Sequence, residues 1–167
     1  QGTDITSSIV DYINDQMEPS VGWKDAEDVI KRWGGPFAIK GIVSVEDAKK
    51  AIDIGATAIM ISNHGGRQLD GSIAPFDALK DIVDAVGGKI EIILDGGIRR
   101  GTHIIKALSL GANACSGGRM YLYALAGAGE KGVQKSVIKL KEELYRGMML
   151  MGCKSIKDLS RKNLRFR

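Results

Sequence analysis

A short segment occurs twice in this sequence, and both copies join the end of an amphipathic helix to the start of an apolar strand. Residues 50–58 read KAIDIGATA, and residues 106–114 read KALSLGANA. A helix ends readily at the shared glycine, Gly55 or Gly111, because glycine adopts the left-handed backbone conformation without strain. The repeat predicts a fold that uses one helix-to-strand unit more than once.

Strand-like and helix-like segments alternate along the chain. Apolar runs of strand length occupy residues 37–42, 58–61, 90–94 and 112–116. Helical spacing of apolar residues predicts helices over 4–17, 22–33, 44–55, 75–86, 102–110 and 121–151, with Ser44 and Thr102 as caps. Four alternations of strand and helix predict a parallel sheet with right-handed crossovers.

The internal repeat favours a barrel over an open, doubly wound sheet. A complete (β/α)8 TIM barrel has eight strands and about 250 residues. We therefore predict an α/β fold that forms half of such a barrel, as a single domain over residues 1–167. Leading helices would occupy 1–36, four βα units 37–119, and terminal helices with a basic tail 120–167.

The composition excludes several classes of protein. With 44% hydrophobic and 26% charged residues, the sequence is typical of a soluble globular domain, and no apolar run approaches the ~20 residues of a membrane span. No signal peptide is apparent after Gln1, and Cys115 and Cys153 form no CxxC pair, so we interpret both as reduced packing residues. These features predict a cytoplasmic location and no transmembrane segment.

The net charge of +4 does not by itself predict nucleic-acid binding. Much of the excess lies in a basic tail that holds Lys154, Lys157, Arg161, Lys162, Arg165 and Arg167. Such a tail is more often a solvated end than a binding arm, and the aromatic residues (5%) form no stacking platform for bases. We therefore expect no nucleic-acid partner. We also expect no metal, because His64 and His103 are too far apart for a standard zinc pattern.

The loop after the second strand is the first candidate site. Ser62-Asn63-His64-Gly65-Gly66-Arg67 directly follows residues 58–61, at the carboxyl end of a strand, where α/β folds carry their chemistry. A histidine and an arginine in a glycine-rich loop are suited to moving a proton and binding a carboxylate. A structural role explains His64 equally well at this point.

Two later loops combine glycine with arginine. One is Asp95-Gly96-Gly97-Ile98-Arg99 after the third strand, and the other is Gly117-Gly118-Arg119 after the fourth. Open backbone N–H groups, the dipole of a following helix and an arginine together favour a phosphate. The alternative is that the glycines close tight turns and the arginines are solvated.

Two charged residues lie at the strands themselves. Lys40 interrupts the first apolar run, where a bound anion would supply the partner that a buried ammonium needs; a lysine extending to the rim is the alternative. Asp95 directly follows the third run, and helix capping and ligand contact are equal alternatives for it.

These segments together resemble one enzyme family. Phe37-Ala38-Ile39-Lys40-Gly41, residues 62–70, residues 94–101 and Gly118-Arg119 look like the FMN-dependent 2-hydroxy-acid oxidases and dehydrogenases, which include glycolate oxidase, lactate oxidase, and lactate and mandelate dehydrogenases. The match runs in order over nearly the whole chain. It implies the carboxyl-terminal four βα units of that family's barrel, with extra helices at both ends.

The resemblance implies a role for each matching residue. His64 would be the base that takes a proton from the substrate's hydroxy-bearing carbon or hydroxyl, and Arg67 would bind the substrate carboxylate beside it. Lys40 would stabilise the anionic reduced flavin at its N1 edge, and Ser62 would touch the cofactor. The ribityl chain and phosphate of FMN would be held by Asp95, Gly96, Gly97, Ile98, Arg99, Gly118 and Arg119.

The resemblance also implies what this chain lacks. The family's first four strands supply tyrosines near the substrate, further flavin contacts and an aspartate that orients the histidine, and nothing here matches them; Met120 stands where a proline commonly follows the arginine. We expect FMN-dependent oxidation of a small L-2-hydroxy acid, such as lactate or glycolate, at a site that is incomplete in this chain. The alternative is a non-catalytic half-barrel that binds FMN or another phosphate-bearing ligand.

A half-barrel has two open sheet edges and an uncovered apolar inner face. We therefore expect this chain to pair with a missing amino-terminal half or to self-associate as a homo-oligomer. Membrane association of a longer parent chain stays open at this point.

Overall fold

The computed structural model describes residues 9, 11, 12 and 14–165. Its helices are α1 (Trp23–Trp33), α2 (Val45–Asp53), α3 (Pro75–Val86), α4 (Gly101–Leu110) and α5 (Arg119–Leu150). Its strands are β1 (Ala38–Ile42), β2 (Ala58–Ile61), β3 (Glu91–Asp95) and β4 (Ala114–Ser116), and short 3-10 turns lie at His64–Gly66, Ile156–Asp158 and Arg161–Asn163. The helix predicted over 4–17 lies partly outside the described residues.

The strands form one parallel sheet in the order β1-β2-β3-β4, so that β1 and β4 are its edges in the described part of the chain. Ile59 of β2 stands opposite Ile39 of β1 and Ile92 of β3, and Leu94 stands opposite Cys115 of β4. The predicted parallel α/β arrangement is confirmed. The strands lie side by side in the same order as they occur in the chain, which is typical of the wall of a barrel. In a doubly wound sheet the strand order reverses at a switch point.

One face of the sheet packs against the helices and forms the main core. Its completely or almost completely buried side chains are Ile59, Ile61, Ile92 and Leu94 from the strands, Leu79, Ile82 and Val86 from α3, and Leu110 from α4. Each such side chain contributes about 1.5–3 kcal/mol of burial free energy. The alternating strand pattern therefore holds the sheet firmly to its helical layer.

The opposite face of the sheet carries the polar side chains. Because successive side chains of a strand point to opposite faces, Lys40 and Met60, which are paired in register, point away from the helices. Asp95 lies on that same face at the carboxyl end of β3. The residues of chemical interest thus lie on the side of the sheet that the helical layer leaves open.

The two copies of the repeat have the same backbone hydrogen bonds. In both, the glycine N–H donates to the carbonyl three residues earlier, and the following alanine N–H donates to the carbonyl five residues earlier, at 2.9–3.1 Å. Both glycines have a positive φ, 88° at Gly55 and 116° at Gly111. The predicted use of one helix-to-strand connection at two places is confirmed.

Helix α4 does not begin as predicted. Thr102 is not its cap: the N-cap residue is Arg100, and the Gly101 N–H donates to the Glu143 carboxylate of α5 at 2.8 Å. A distant side chain can supply this cap because α5 crosses α4 closely, so that a Cβ on Gly101 would overlap the backbone of Glu143. The prediction of Thr102 was wrong because the acceptor comes from another helix.

Strand β4 is shorter than the predicted run of 112–116. The Ala112 N–H is still engaged by the turn that ends α4, where it donates to Ala107. Two hydrogen bonds, each of 2.8 Å, join Asn113 to Ile92 of β3. The Asn113 N–H donates to the Ile92 carbonyl, and the Ile92 N–H donates to Asn113 Oδ1. Regular pairing begins only at Ala114.

The basic tail is exposed at Lys154, Lys157, Lys162 and Arg165, as predicted, but Arg161 is engaged by the rest of the protein. Arg161 forms an ion pair with Asp84 of α3 and donates to the Leu110 carbonyl at the end of α4, at 3.4 Å. A cation at the carboxyl end of a helix is favourable because it meets the negative end of the helix dipole. Arg161 therefore connects the carboxyl-terminal segment to α3 and α4.

The long helix α5 is interrupted at Ala128 and Gly129, where the backbone leaves helical geometry. Its second part packs against α4, where Leu144 and Met148 adjoin Ile105 in a smaller apolar cluster. No helix in the described ranges has the length and apolar character that crossing a membrane requires.

Candidate active site

A cavity of about 360 Å³ opens at the carboxyl ends of the strands. Residues of β1, β3 and β4 and of the loops after β2, β3 and β4 line it. The lining residues are Lys40 of β1; His64, Gly65 and Arg67 after β2; Asp95 at the end of β3 and Gly96, Gly97 and Ile98 after it; Ser116 at the end of β4; and Gly117, Gly118, Arg119, Met120 and Leu122 around the start of α5. Loops distant in sequence meet here because the strands are parallel and end at the same edge of the sheet.

Three polar side chains from neighbouring strands form a network in the cavity wall. Lys40 Nζ lies 3.1 Å from Ser62 Oγ and 3.2 Å from Asp95 Oδ2, and Ser62 Oγ donates to Asp95 Oδ2 at 2.6 Å. The anionic partner that Lys40 requires is therefore Asp95, a residue of the protein itself. Asp95 is not a helix cap, since its carboxylate is engaged by this network.

The ionisation of Asp95 is set by opposing effects. Burial raises the pKa of Asp95, but hydrogen bonds from Ser62, Ser116 and Lys40, together with the Lys40 charge, more than offset it. The pKa of Asp95 therefore lies below the usual value of an aspartate. The carboxylate is charged at neutral pH and holds the Lys40 ammonium in place.

The loop that holds His64 has an unusual backbone. His64 has a φ of 55°, and Gly65 and Gly66 continue in the same left-handed region at 70° and 71°. A non-glycine residue in this region costs on the order of 1–3 kcal/mol. Two hydrogen bonds stabilise the loop, from the His64 N–H to Ser62 Oγ at 3.1 Å and from the Gly65 N–H to the Asn63 side chain at 2.9 Å.

The cavity wall carries an excess of positive charge. Lys40, Arg67 and Arg119 line it, and Asp95 is the one anionic residue in its lining. Helix α5 begins at Arg119, so the positive end of its dipole also lies at the cavity. The arrangement is suited to an anionic ligand.

Two glycines make room for a phosphate group. An added Cβ at Gly97 or at Gly118 would meet no other atom within 4 Å, and Gly97 has a φ of 71° that side chains rarely tolerate. The backbone here can approach a ligand closely, and the start of a helix with an adjacent arginine is a common phosphate site. The residues present therefore fit a phosphate-bearing cofactor such as FMN.

The structure brings most of the predicted site residues together, with two differences. Ser62 lines an adjoining groove with Asn63 and Gln68, and it is almost completely buried, at 3% exposed. Arg99 does not line the cavity: its side chain is exposed, and its N–H lies 3.2 Å from His103 Nδ1.

Several residues of the site were missed at the level of sequence. Met120 and Leu122 form apolar parts of the wall. His103 Nδ1 lies within hydrogen-bond distance of Gly97 O, at 2.9 Å, and of the Arg99 N–H, so that either tautomer holds the glycine-rich loop. The position of His103 near the start of a helix is a signal for such a capping role.

Comparison with known proteins identifies the family. The sequence matches the model of the FMN-dependent dehydrogenase family over residues 1–166. The chain belongs to this family. Family membership confirms the predicted resemblance, the α/β barrel class of the fold and FMN as the family's cofactor.

The named relatives of this chain are oxidases and dehydrogenases. The L-lactate oxidase of Nostoc sp. is 48% identical over 153 residues, which cover 92% of this chain and 42% of that protein. The 2-hydroxyacid oxidase 1 of Mus musculus is 44% identical over 155 residues, covering 93% and 42%. The flavin-binding domain of baker's yeast flavocytochrome b2 has a TM-score of 0.86 at 41% identity, covering 89% and 39%. This chain spans about two-fifths of the length of these relatives.

Proposed function

We propose that this chain is the carboxyl-terminal half of an enzyme that oxidises a small L-2-hydroxy acid to the 2-oxo acid with FMN. The observation that carries the proposal is the meeting of His64, Arg67 and Arg119 at one cavity. Relatives named L-lactate oxidase, L-lactate dehydrogenase and 2-hydroxyacid oxidase support the substrate class. Residues 1–167 would form a single domain that is the carboxyl-terminal half of the FMN-binding barrel.

Cofactor binding is assigned to the loops after β3 and β4. The backbone N–H groups at Gly97 and Gly118 and the guanidinium of Arg119 would hold the phosphate, and Asp95, Gly96 and Ile98 complete the cofactor-binding part of the cavity. Arg99 stays in the proposed set as the residue that follows Ile98, although its exposed side chain does not line the cavity. FMN, when bound, supplies a two-electron acceptor. Lys40, held by Asp95, presents a positive charge that stabilises negative charge in the cavity.

Substrate handling is assigned to the loop after β2. Arg67 would bind the carboxylate of the hydroxy acid, which places the hydroxy-bearing carbon beside His64. The His64 imidazole would accept a proton from that carbon or from the hydroxyl, while the electron pair leaves towards the acceptor. A positioned histidine base contributes typically 10²–10⁴-fold to such a step.

The redox assignment is tested by mixing the FMN-loaded protein, as it is encoded in full, with L-lactate or glycolate under anaerobic conditions. Bleaching of the flavin absorbance is expected, and His64→Gln should slow it by about 10²–10⁴-fold. If Arg67 acts only in substrate binding, Arg67→Lys should mainly raise the substrate concentration at which the bleaching rate is half-maximal. Absence of bleaching with every 2-hydroxy acid tried would refute the proposal.

A second candidate, FMN binding without turnover, is favoured for the 167-residue chain by one observation. In the part of the chain that the structure describes, the His64 imidazole forms no hydrogen bond, so nothing orients it as a base. Equilibrium dialysis with FMN and with inorganic phosphate separates the cases. Binding without bleaching supports the second candidate, and no binding of either ligand excludes both for this chain.

The open face of the sheet is assigned to a partner. In the described residues the edge strands β1 and β4 each have a neighbour on one side only, and Met60 and Ile93 point to the uncovered face. We propose that a preceding half of the same barrel, or a second copy of this chain, covers this face. Light scattering of the 167-residue chain should show a dimer or larger species, whereas a monomer over the micromolar range would exclude self-association.

We also propose a cytoplasmic location. Cys115 and Cys153 are both free, and free cysteines are typical of the reducing cytosol. Subcellular fractionation tests this directly, and recovery of the protein in an oxidising compartment would contradict it.

A further inference from the structure

One side chain contacts both ends of the loop that follows β2. Asn63 Oδ1 accepts a hydrogen bond from the Gly65 N–H at 2.9 Å, and Asn63 Nδ2 donates to the Ile73 carbonyl at 3.3 Å. The Asn63 carbonyl also accepts from the Gly66 N–H, at 3.0 Å. Two of these contacts stabilise the turn around His64, whereas the contact with Ile73 reaches ten residues along the chain.

We propose that Asn63 is a positioning residue for the His64 loop, by which we mean residues 63–73. Its side-chain amide connects the turn that carries His64 to the returning end of the loop at Ile73, so that His64 and Arg67 keep one arrangement at the cavity. This role rests on the proposed function, because His64 is assigned there to the proton and Arg67 to the substrate carboxylate.

Burial contributes little to the conformation of the His64 loop. All residues from 66 to 71 are exposed, and the apolar side chains of Leu69 and Ile73 are 69% and 47% exposed. Within the described part of the chain, positions 67–72 also form no hydrogen bonds. A segment with so few contacts opens easily. The contacts at its two ends therefore determine how the loop is held.

The turn at the start of the loop requires support. Among the described residues, His64 alone combines a side chain with a positive φ, and such a conformation persists only where the surroundings hold it. The His64 N–H donates to Ser62 Oγ, and the next two N–H groups, of Gly65 and Gly66, both donate to Asn63. Asn63 thus supplies two of the three acceptors that stabilise this turn.

Only an amide can make both side-chain contacts. Its oxygen accepts and its NH2 group donates, whereas an ionised carboxylate only accepts. Asn63→Asp therefore keeps an acceptor for the Gly65 N–H but loses the donor to the Ile73 carbonyl. Asn63→Ala loses both contacts. The two variants separate the support of the turn from the connection across the loop.

The chain offers two controls. Asn113 Oδ1 accepts from the Ile92 N–H at 2.8 Å, so Asn113→Asp makes the same amide-to-carboxylate change at a position whose amide serves as an acceptor. Gln68 lines the same groove as Asn63, so Gln68→Glu adds the same negative charge beside the loop and shows what the charge alone does.

The first experiment uses the ligand-free protein as it is encoded in full. Trypsin cleavage after Arg67 should accelerate about two- to tenfold in Asn63→Asp and in Asn63→Ala, because both lose the hydrogen bond to Ile73. Hydrogen exchange of the Gly65 amide should accelerate only in Asn63→Ala, and Asn113→Asp should change neither rate. An unaltered cleavage rate in Asn63→Asp would overturn the proposal, whether or not the alanine variant folds.

The second experiment follows flavin bleaching by L-lactate in the FMN-loaded protein. Asn63→Asp should raise the half-maximal substrate concentration about three- to tenfold more than Gln68→Glu does, because Arg67 is less well placed. The maximal bleaching rate should fall further in Asn63→Ala, which also loosens the turn of His64. Equal half-maximal concentrations in Asn63→Asp and Gln68→Glu would assign the effect to charge and overturn the proposal.

The two experiments fail separately. If no 2-hydroxy acid bleaches the flavin of the unaltered protein, the proposed function fails. The rate of trypsin cleavage after Arg67 still decides whether Asn63 holds the loop.

Discussion

Arg119 Nη2 donates a hydrogen bond to the Gly65 carbonyl at 3.3 Å, and so connects the loop after β4 with the loop that carries His64. A Cβ on Gly65 would stand 2.7 Å from that nitrogen, so the approach requires glycine at this position. The residue proposed to bind phosphate is therefore in contact with the loop proposed to bind substrate.

Arg119→Ala should weaken FMN binding by about 10–100-fold, the usual effect of losing hydrogen bonds from a charged donor. Riboflavin, which lacks the phosphate, should bind the variant and the unaltered protein equally. Fluorescence titration with both flavins measures this, and Arg32→Ala, at an exposed position on α1, is the control. An equal loss for riboflavin would contradict a phosphate contact.

Glu143→Gln should lower the thermal unfolding midpoint by roughly a few degrees. Hydrogen bonds from Arg100, both at 2.9 Å, and then from the Gly101 N–H hold the pKa of Glu143 below its usual value. Its contribution is therefore complete above the usual glutamate pKa and is lost as the pH falls through the lower value of the folded state. Thermal melts from pH 7 to pH 3 should converge for variant and unaltered protein at the acid end.

The control for Glu143 is its neighbour Glu142, which pairs with Lys139 on the same exposed helix surface. Glu142→Gln should change the midpoint by less than Glu143→Gln at every pH, because exposed pairs contribute little. Equal shifts for the two variants would show that the cap of α4 is unimportant.

Cys115 should resist alkylation in the folded protein. Burial raises the pKa of its thiol to about 11, so that only about one molecule in a thousand carries the thiolate at pH 8. Iodoacetamide labelling of a Cys153→Ser variant, followed by mass spectrometry, isolates this thiol. Labelling should be complete in urea and minimal in buffer; rapid labelling in buffer would show that the thiol is accessible.

Gly101→Ala should destabilise the protein strongly, whereas Gly127→Ala should be neutral or slightly stabilising. A Cβ on Gly101 would stand 2.6 Å from Glu143 backbone carbon, and a Cβ on Gly127 would meet nothing within 4 Å. The contrast follows from the close crossing of α4 and α5, since alanine otherwise favours a helix by about 1 kcal/mol over glycine. Urea unfolding of both variants measures it, and similar stabilities would contradict the close crossing.

Local patterns in the sequence were sufficient for the elements and for the loops that carry the site. The repeat around Gly55 and Gly111 produces identical hydrogen bonds because the left-handed glycine and the helix end are properties of a few adjacent residues. The same holds for the loop after β2, where His64 and Arg67 were recognised from their neighbours. Thr102 was chosen by the same local reasoning and was wrong, because the acceptor for Gly101 lies on α5.

The sequence by itself determined the order of strands and helices, the family and the positions of the cavity-lining loops, since each depends on short-range periodicity or on motifs. Only the tertiary structure decided that Lys40 pairs with Asp95, that Ser62 donates to Asp95, and that Glu143 caps α4. The physical reason is that each of these contacts joins side chains from different strands or helices. Their distances depend on how the parallel strands and the two crossing helices pack, which no local pattern encodes.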